Sequence, residues 1–518
     1  MSISSHTDRA SLHGEVLLWL NAASESLRDS AWSAPLQFEG VDLLDVLRWP
    51  LFGELLALAR GEGLADTSHS LKLPNRERLR MLGYRAKVAL GELRSQRRSA
   101  PCREVSTVFW PRSLGHVKVH LPIAAALRQL GESCSFVVND LRTFQAVLGR
   151  GEPALFPLGL EPRRLRSARQ GARRAARALP AEPGVKLPPF VRSVPEARAL
   201  QALRGVIQRM LSPGYEMIAL ADIVLRAIRP KALVVGNDIT LEGRAGCLVA
   251  RRRGVASICP MHGVVAGEPL QGSHRADRVL VYGERSRQSL IELGEDPHRI
   301  AVNGAAYLAG RPRQTYETDP RIADFLGLKP GQPWILLATS GPGHSVSLEH
   351  HRLVVEHVAE LSALMPDVRF VAKLHPKDQV AFYSRAEQAV RGSRLAIVTG
   401  KEPRLPHDIF AWLQGCTAML TGASAAALEA LLMEVPVITM DFMNELEGID
   451  FIDAGATLHC RTAQELQQAV QTVVCKPAGR DRLGAQARKF LAESFENLDG
   501  SPARVAAEII RDLPGKGK

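Results

Sequence analysis

Two segments in the last third of the chain place polar side chains where apolar runs end. One run, typical of a buried β-strand, leads into Lys373, His375 and Pro376. The other leads into Thr421 and Ser424, which begin an Ala-rich stretch typical of a helix. A helix N-terminus offers unpaired N–H groups and the positive end of the helix dipole, and both favour a bound phosphate. The two segments predict a nucleoside mono- or diphosphate site at a sheet edge.

Three further residues are candidates for the same site. Glu429 is expected about one and a half turns into the helix, within reach of a ribose diol if the phosphate lies at the N-terminus. Ser340 and Gly341 follow an apolar run that begins at residue 333, and a Gly-containing loop lets backbone approach a phosphate. The alternative is that Ser424 is an ordinary helix cap and His375 a turn histidine.

The first half of the chain supplies two candidate general bases. His262, followed by Gly263, comes after the predicted strand 256–259, and Asp238 ends the strand before it. When a hydroxyl group displaces a phosphate leaving group, a base takes the hydroxyl proton and donor groups hold the phosphate. Histidine suits the first task because its ordinary pKa lies near neutrality. Either residue can act as the base while the other orients it, and a purely structural role for each stays open.

The order of strand and helix signals divides the chain into four segments. The two central segments alternate short apolar strands with helices, which predicts an α/β fold of two Rossmann-like domains facing a cleft. The segments are a helical N-terminal extension at 1–100, a first domain with an Arg-rich insertion at 101–315, a second domain at 316–495, and a C-terminal helix and tail at 496–518.

The formal net charge of +12 is concentrated in a segment with seven arginines between residues 163 and 177. Its apolar residues recur at helical spacing, which leaves one basic face. Such a face can bind anionic lipid headgroups or a polyanionic acceptor, or it can simply be solvated. Nucleic acid is not an expected partner because no aromatic-basic platform or zinc-ligand spacing accompanies the charge.

Other features predict a cytoplasmic protein. No apolar run reaches the roughly 18 residues that a membrane span requires, and the first residues lack a signal-peptide pattern. The seven cysteines include no C-x-x-C pair, so we expect reduced, buried thiols. No Asp-x-Asp motif follows a strand, so the sequence requires neither a metal nor a cofactor.

Across residues 105–490 the motifs resemble those of GT-B glycosyltransferases, in particular a bacterial surface-polysaccharide branch. That branch includes the capsular polysialyl- and Kdo-transferases and the CDP-glycerol glycerophosphotransferases. His262 with Gly263 resembles its His-Gly motif, His375 with Pro376 its His-Pro motif, and Ser424 its serine motif. The serine motif departs from the branch pattern: alanines flank Ser424 where paired hydroxyl residues are usual, and Thr421 is the candidate second hydroxyl.

The resemblance implies that the second domain binds a nucleotide-sugar donor and the first an acceptor. Gly115, His116 and Lys118 resemble the acceptor-side entry loop, which we expect to end where a helix begins at Val119. The resemblance further implies an enzyme of capsule or lipopolysaccharide synthesis that works at the inner face of the membrane.

The leading interpretation is a metal-independent glycosyltransferase. It would move a sugar from a CMP- or UDP-sugar to a surface-glycan, lipid-linked or protein acceptor. Three alternatives stay open: a CDP-glycerol-type glycerophosphotransferase, a sugar-nucleotide 2-epimerase, and a non-catalytic nucleotide-sugar-binding subunit. An epimerase needs no acceptor and normally carries further acidic residues near the His-Gly position, which residues 264–268 do not clearly provide.

Overall fold

The structure is a computed structural model. It describes residues 6–61, 105–157, 160–191, 194–263, 269–308, 317–341, 346–375, 378–422, 424–446, 448–497 and 501–513. Pro376 and the 264–268 segment lie outside the described residues, so those two expectations stay predictions.

The first domain is built on a sheet of seven parallel strands in the order β5-β4-β3-β6-β7-β8-β9. Its central strands are buried along their whole length, as expected for a parallel sheet with helices on both faces. The strands are β3 (Thr107–Trp110), β4 (Cys134–Val137), β5 (Ala154–Leu155), β6 (Ala232–Val235), β7 (Ala256–Pro260), β8 (Arg278–Val281) and β9 (Ile300–Val302).

The second domain has a sheet of six parallel strands in the order β12-β11-β10-β13-β14-β15. The two parallel α/β sheets confirm the predicted fold class. The strands are β10 (Trp334–Ala338), β11 (Arg369–Lys373), β12 (Leu395–Val398), β13 (Ala418–Thr421), β14 (Val437–Met440) and β15 (Leu458–Cys460).

Helices connect the strands and cover both sheets. In the first half of the chain they are α1 (His6–Arg28), α2 (Leu43–Val46), α3 (Arg48–Ala59), α4 (Leu114–Gln129), α5 (Leu141–Leu148), α6 (Pro162–Ala178), α7 (Glu196–Ile228), α8 (Leu241–Arg252) and α9 (Glu284–Glu292). In the second half they are α10 (Pro320–Leu326), α11 (Leu348–Leu364), α12 (Val380–Ala389), α13 (Ile409–Leu413), α14 (Ala426–Leu432), α15 (Asp450–Asp453), α16 (Ala463–Cys475), α17 (Pro477–Ser494) and α18 (Pro502–Asp512).

The N-terminal segment packs into the core of the first domain. Its helices share one hydrophobic cluster with α7 and the strands β3 and β6, and it also contains a two-residue antiparallel pair, β1 (Gln37–Phe38) and β2 (Val41–Asp42). The Trp19 indole N–H donates to the carbonyl oxygen of Pro188 at 2.9 Å, and Arg209 pairs with the buried Glu54 at 2.9 Å. The described part of the predicted extension is therefore integral to the domain.

The end of the chain returns from the second domain to the first. After α17, the N–H of Glu496 donates to the carbonyl oxygen of Tyr282 at 2.9 Å, and the rings of Phe495 and Tyr282 stack at 5.3 Å. Helix α18 then packs against α4. The C-terminal helices thus connect the two domains.

Each sheet has a point at which chain order reverses. In the first sheet β4 and β5 build outward from one side of β3, whereas β6 to β9 build from the other side. In the second sheet the reversal lies between β10 and β13. Connections leave neighbouring strands in opposite directions there, which opens a crevice at the carboxyl ends of the strands. These two crevices are where the fold favours ligand binding.

Among the described cysteines, five are buried and unpaired: Cys134, Cys247, Cys259, Cys416 and Cys460. The sixth, Cys475 at the end of α16, is exposed, so for this residue the prediction of a buried thiol was wrong. In the part of the chain described, no helix is both long and apolar enough to span a membrane.

Candidate functional site

The first-domain crevice contains three histidines from two elements. His116 and His120 lie one turn apart on α4, and His262 follows β7. The rings of His116 and His262 meet edge to face, with centroids 4.4 Å apart. Gly236, just after β6, lets His116 pack against the backbone, because a Cβ at position 236 would lie 2.3 Å from Nδ1 of His116. The absence of a side chain at Gly236 thus lets the His116 ring lie at the switch point.

Burial keeps these histidines uncharged near neutral pH. It lowers the pKa of His120 to about 3 and that of His262 to about 4, and the pKa of His116 lies well below its usual value. Nδ1 of His116 accepts the backbone N–H of Arg112 at 3.1 Å, which requires an unprotonated nitrogen. His262 is therefore available to accept a proton.

The predicted entry loop is part of a helix. We expected a helix from Val119, but α4 begins at Leu114, so Gly115, His116 and Lys118 all lie in its first turn and a half. That expectation was wrong because the single glycine, exposed beside Ser113, does not interrupt the helix. The consequence is functional: the helix directs His116 into the first domain and Lys118 towards the second.

Asp238 is not placed as a base for an acceptor hydroxyl. It is fully buried, and its Oδ2 accepts the backbone N–H groups of Arg275 and Ala276 at 2.6 and 2.7 Å. These bonds hold the 274–276 segment against the end of β6. We therefore correct the sequence interpretation that paired Asp238 with His262 as catalytic groups at the cleft surface.

In the second domain, a hydrogen-bond network fixes the segment after β11. The backbone N–H of His375 donates to the hydroxyl oxygen of Thr339 at 2.8 Å, while the His375 side chain is exposed. Asp378 anchors the same segment, because its carboxylate accepts from the Tyr383 hydroxyl at 2.7 Å and lies 3.0 Å from Nε2 of His351. The backbone of His375 is thus held at the carboxyl edge of the sheet while its side chain is exposed.

Lysines from both domains converge on the cleft. Nζ of Lys118 lies 4.0 Å from Glu429 and 3.9 Å from Asp408, both in the second domain. Lys373, at the end of β11, is half-buried; burial lowers its pKa, and the nearby charge of Lys118 lowers it further. Two lysine ammonium groups lie close to each other here, with carboxylates beside them. A bound phosphate group would stabilise this arrangement because its negative charge offsets the repulsion between the two cations.

The other predicted donor residues lie around the second crevice with different accessibility. Ser340 and Gly341 follow β10; Gly341 has φ +68°, a left-handed conformation that favours glycine, and the Ser340 hydroxyl is buried without a hydrogen-bond partner among the described residues. Ser424 precedes α14, and its hydroxyl oxygen lies 3.3 Å from the N–H of Ala426. Ser340 is thus the donor candidate whose hydroxyl most needs a ligand.

Two placements differ from the sequence expectations. Thr421 is fully buried and its hydroxyl donates to the carbonyl oxygen of Ala338 at 2.9 Å, so this hydroxyl stabilises the sheet and cannot be the second hydroxyl of the serine motif. Glu429 lies in the first turn of α14 because the helix begins at Ala426, two residues after Ser424. It is nearly buried and faces Lys118.

A cavity of about 150 Å³ lies beside His262 in the first domain. Asn237, Cys259 and His274 contribute to its wall. The potential ligand atoms of Asp238, Cys259 and His274 lie within 4.8 Å of one another, and Cys259 and His274 line the cavity. No sequence motif predicts this group, because its members come from three separate segments.

The sequence reasoning also missed the residues that position the predicted ones. Thr339, Asp378 and Gly236 carry no recognisable motif, and each acts through a histidine distant in the chain: His375, His351 and His116, respectively. The position of Thr339 directly after a fully apolar strand is a signal that could have identified it as a loop residue at the sheet edge.

Comparison with known proteins supports the architecture. No protein-family model and no curated protein sequence matches the chain. Solved structures do. A putative UDP-N-acetylglucosamine 2-epimerase from Listeria monocytogenes aligns with 77% of this chain and 94% of its own, at 16% identity and a TM-score of 0.50.

Two further solved structures are similar at lower scores. The S. aureus MnaA–UDP structure covers 79% of this chain and 95% of its own, at 15% identity and a TM-score of 0.49. Anabaena Alr3699/HepE, in complex with UDP and glucose, covers 79% and 100%, at 12% identity and a TM-score of 0.46. With the topology described above, the Listeria similarity shows that the chain has the two-domain GT-B fold.

Proposed function

We propose that this protein is a glycosyltransferase that moves a sugar from a nucleotide-activated donor, a CMP- or UDP-sugar, to a hydroxyl group of an acceptor. The observation that carries the proposal is the convergence of groups from both switch points on one cleft. Lys118 from the first domain reaches Glu429 of the second at 4.0 Å, and His262 and His375 each follow a strand of the domain they belong to.

The second domain supplies groups suited to the donor nucleotide. The exposed His375 side chain, the unpartnered Ser340 hydroxyl and the backbone at Gly341 can donate to phosphate oxygens. Lys118 and Lys373 can balance the charge that builds on the departing phosphate, and their donation strengthens as the sugar–phosphate bond breaks. The Glu429 carboxylate, which lies 4.0 Å from Lys118, can accept hydrogen bonds from ribose hydroxyls.

In the first domain His262 is the proposed base. Burial lowers its pKa to about 4, which ensures the neutral form but makes it a weak base in the free protein. A bound nucleotide brings negative charge into the cleft, and that charge raises the pKa of a nearby histidine towards neutrality. The ring would therefore become a better proton acceptor only once the donor is bound.

A sugar-nucleotide 2-epimerase is the second candidate. The sequence provides no acidic residues directly after His262, but the fold brings Asp238 and Glu295 to His274 on the wall of the cavity beside it. Acidic groups next to a histidine could serve proton transfer at a sugar carbon. The Listeria protein of the same fold is a putative UDP-N-acetylglucosamine 2-epimerase.

The acceptor is proposed to be membrane-proximal because α6 presents a basic face. Its apolar side packs inward through Leu165 and Ala168, and Arg164 and Arg169 pair with acidic residues. The remaining arginines are exposed and make no ion pair with other described residues: Arg163, Arg166, Arg173, Arg174 and Arg177. Five free guanidinium groups on one helix suit an anionic lipid surface or a polyanionic glycan.

The test is a donor panel with two readouts. Purified protein is incubated with CMP-, UDP- and GDP-sugars and CDP-glycerol, with and without a mixture of polyprenol-linked and glycan acceptors. Nucleotide release that requires acceptor is expected, and it should fall at least 100-fold in His262→Ala while the exposed-histidine control His298→Ala retains it. An inverted C2 centre formed without acceptor, read by proton NMR, would instead establish the epimerase.

A further inference from the structure

Three buried side chains, two of which line the cavity, have unsatisfied or weakly bonded donor atoms that lie close together. They are Asp238 after β6, Cys259 in β7 and His274 before β8. Their ligand atoms lie within 4.8 Å of one another, and Oδ1 of Asp238 lies 3.7 Å from Nε2 of His274. That oxygen is buried and has no hydrogen-bond partner among the described residues. An unpartnered carboxylate oxygen in a dry interior is costly and indicates an absent partner.

Each of the three side chains is oriented by a second group. Oδ2 of Asp238 accepts the N–H groups of Arg275 and Ala276, which leaves Oδ1 directed at the cluster. Nδ1 of His274 lies 3.2 Å from Oε2 of Glu295, so Nε2 is the nitrogen left for the shared space. The backbone of Asp238 hydrogen-bonds the sulfur of Cys259. A carboxylate behind a histidine is the arrangement that orients metal-binding imidazoles in proteins.

We propose that Asp238, Cys259 and His274 form a binding site for a divalent transition-metal ion of the zinc class. One sulfur, one nitrogen and one oxygen are a donor set that Zn²⁺ accepts and that Mg²⁺ and Ca²⁺, which prefer oxygen ligands, do not. Three protein ligands leave a fourth position of a tetrahedral ion open. Since Cys259 and His274 line the cavity, that position would face it and so would the entry path.

The charge of the cluster is compatible with such an ion. Burial and the nearby charge of the buried Arg244 disfavour a charged His274, yet Asp238 and Glu295 outweigh them and raise its pKa. Burial also holds the pKa of the Cys259 thiol well above its usual value. Binding M²⁺ requires a Cys259 thiolate and an unprotonated Nε2 on His274, so a proton carried by either atom leaves as the ion enters. The competing role is a buried His274–Asp238 ion pair that serves stability alone.

Cobalt(II) distinguishes the two roles without reference to any transfer activity, so the site and the proposed function can fail separately. The chelator-treated full-length protein is titrated with Co²⁺ and then with Zn²⁺. We expect one equivalent of Co²⁺ to produce the visible bands of a tetrahedral ion and a near-ultraviolet thiolate-to-cobalt charge-transfer band, and one equivalent of Zn²⁺ to remove both. Absence of the charge-transfer band in the wild-type protein would overturn the proposal and leave the ion pair.

Variants assign the ligands. Cys259→Ser should lose the charge-transfer band, whereas Cys416→Ser, a buried cysteine of the second domain, should keep it. Glu295→Gln removes the negative charge behind His274, and with it the ion pair to Arg299, and should weaken Zn²⁺ binding about 10- to 100-fold. If Cys259→Ser does not fold, protection of Cys259 from alkylation by one equivalent of Zn²⁺ in the wild-type protein provides the same assignment. A charge-transfer band that survives Cys259→Ser, or alkylation unaffected by Zn²⁺, would refute it.

Discussion

Acid should destabilise the first domain because it holds buried, uncharged histidine rings. His120 is 1% exposed, and burial lowers the pKa of its imidazole to about 3, whereas a histidine in an unfolded chain titrates near 6.5. Between these values the unfolded chain binds a proton that the folded domain does not. Stability is therefore lost as the pH falls below about 6.5, and the loss continues towards pH 3. At about 1.4 kcal/mol per pH unit, His120 alone accounts for about 2 kcal/mol between pH 7.5 and 5.0.

The neighbouring rings act in the same direction. Burial also lowers the pKa of His116 and of His262, so each adds to the acid destabilisation of the wild-type protein. Urea unfolding at the two pH values, followed by hydrogen exchange of peptides from β3 and β6, measures the free energy of the first domain separately from the second.

The variant His120→Gln isolates one ring. It should be less stable than the wild type at pH 7.5, because His120 is buried and hydrogen-bonds the backbone of Val235. Between pH 7.5 and 5.0, however, it should lose about 2 kcal/mol less than the wild type. The exposed His298→Gln serves as control and should follow the wild-type pH dependence. A His120→Gln variant with unchanged pH dependence would refute the reasoning.

Three further predictions address binding and stability. Lys118→Gln should weaken nucleotide-sugar binding at least about 10-fold in calorimetry, because a charged hydrogen bond contributes about 1.5–3 kcal/mol. The control Lys489→Gln, at an exposed lysine, should bind as the wild type does. A Lys118→Gln variant with wild-type affinity would contradict the assignment of Lys118 to the cleft. Asp222→Asn should cost about 2–3 kcal/mol of unfolding free energy, because this 1%-exposed carboxylate pairs with Arg164 and Arg253; a loss under about 0.5 kcal/mol would contradict it. Replacing four exposed arginines of α6 by Gln should weaken binding to phosphatidylglycerol vesicles by about 1 kcal/mol per arginine, and this binding should weaken with added salt. Sedimentation with the vesicles measures it, and an unchanged bound fraction would favour a basic face of α6 that is simply solvated.

The helices and strands could be predicted from the sequence because their signals are local. These signals are the spacing of apolar residues and the residue types that begin or end a helix. The Arg-rich segment, whose apolar residues recur at helical spacing, is α6. The apolar runs at 232–235 and 334–338 are buried central strands. Such runs are readable from sequence because a strand buried on both faces must be apolar throughout.

Side-chain direction could not be read in the same way, because it depends on partners far away in the chain. Asp238 was assigned to the cleft from its place after a strand, yet the N–H groups that bind it belong to residues 275 and 276. Thr421 was assigned from the motif, yet its hydroxyl donates to Ala338, 83 residues earlier. The cluster that includes Cys259 and His274 has no motif at all.

The central claim is that one nucleotide-sugar lies between the two switch points, in contact with both domains. The most direct measurement is calorimetric titration of wild type, Lys118→Gln and His375→Ala with CMP, CDP, UDP, GDP and their sugar conjugates. The structure predicts that nucleotides with one of these bases bind and that their sugar conjugates bind as well. It also predicts that each variant weakens this binding, although the two residues come from different domains. Binding that is unaffected by either variant, or no binding by any nucleotide, would contradict the claim.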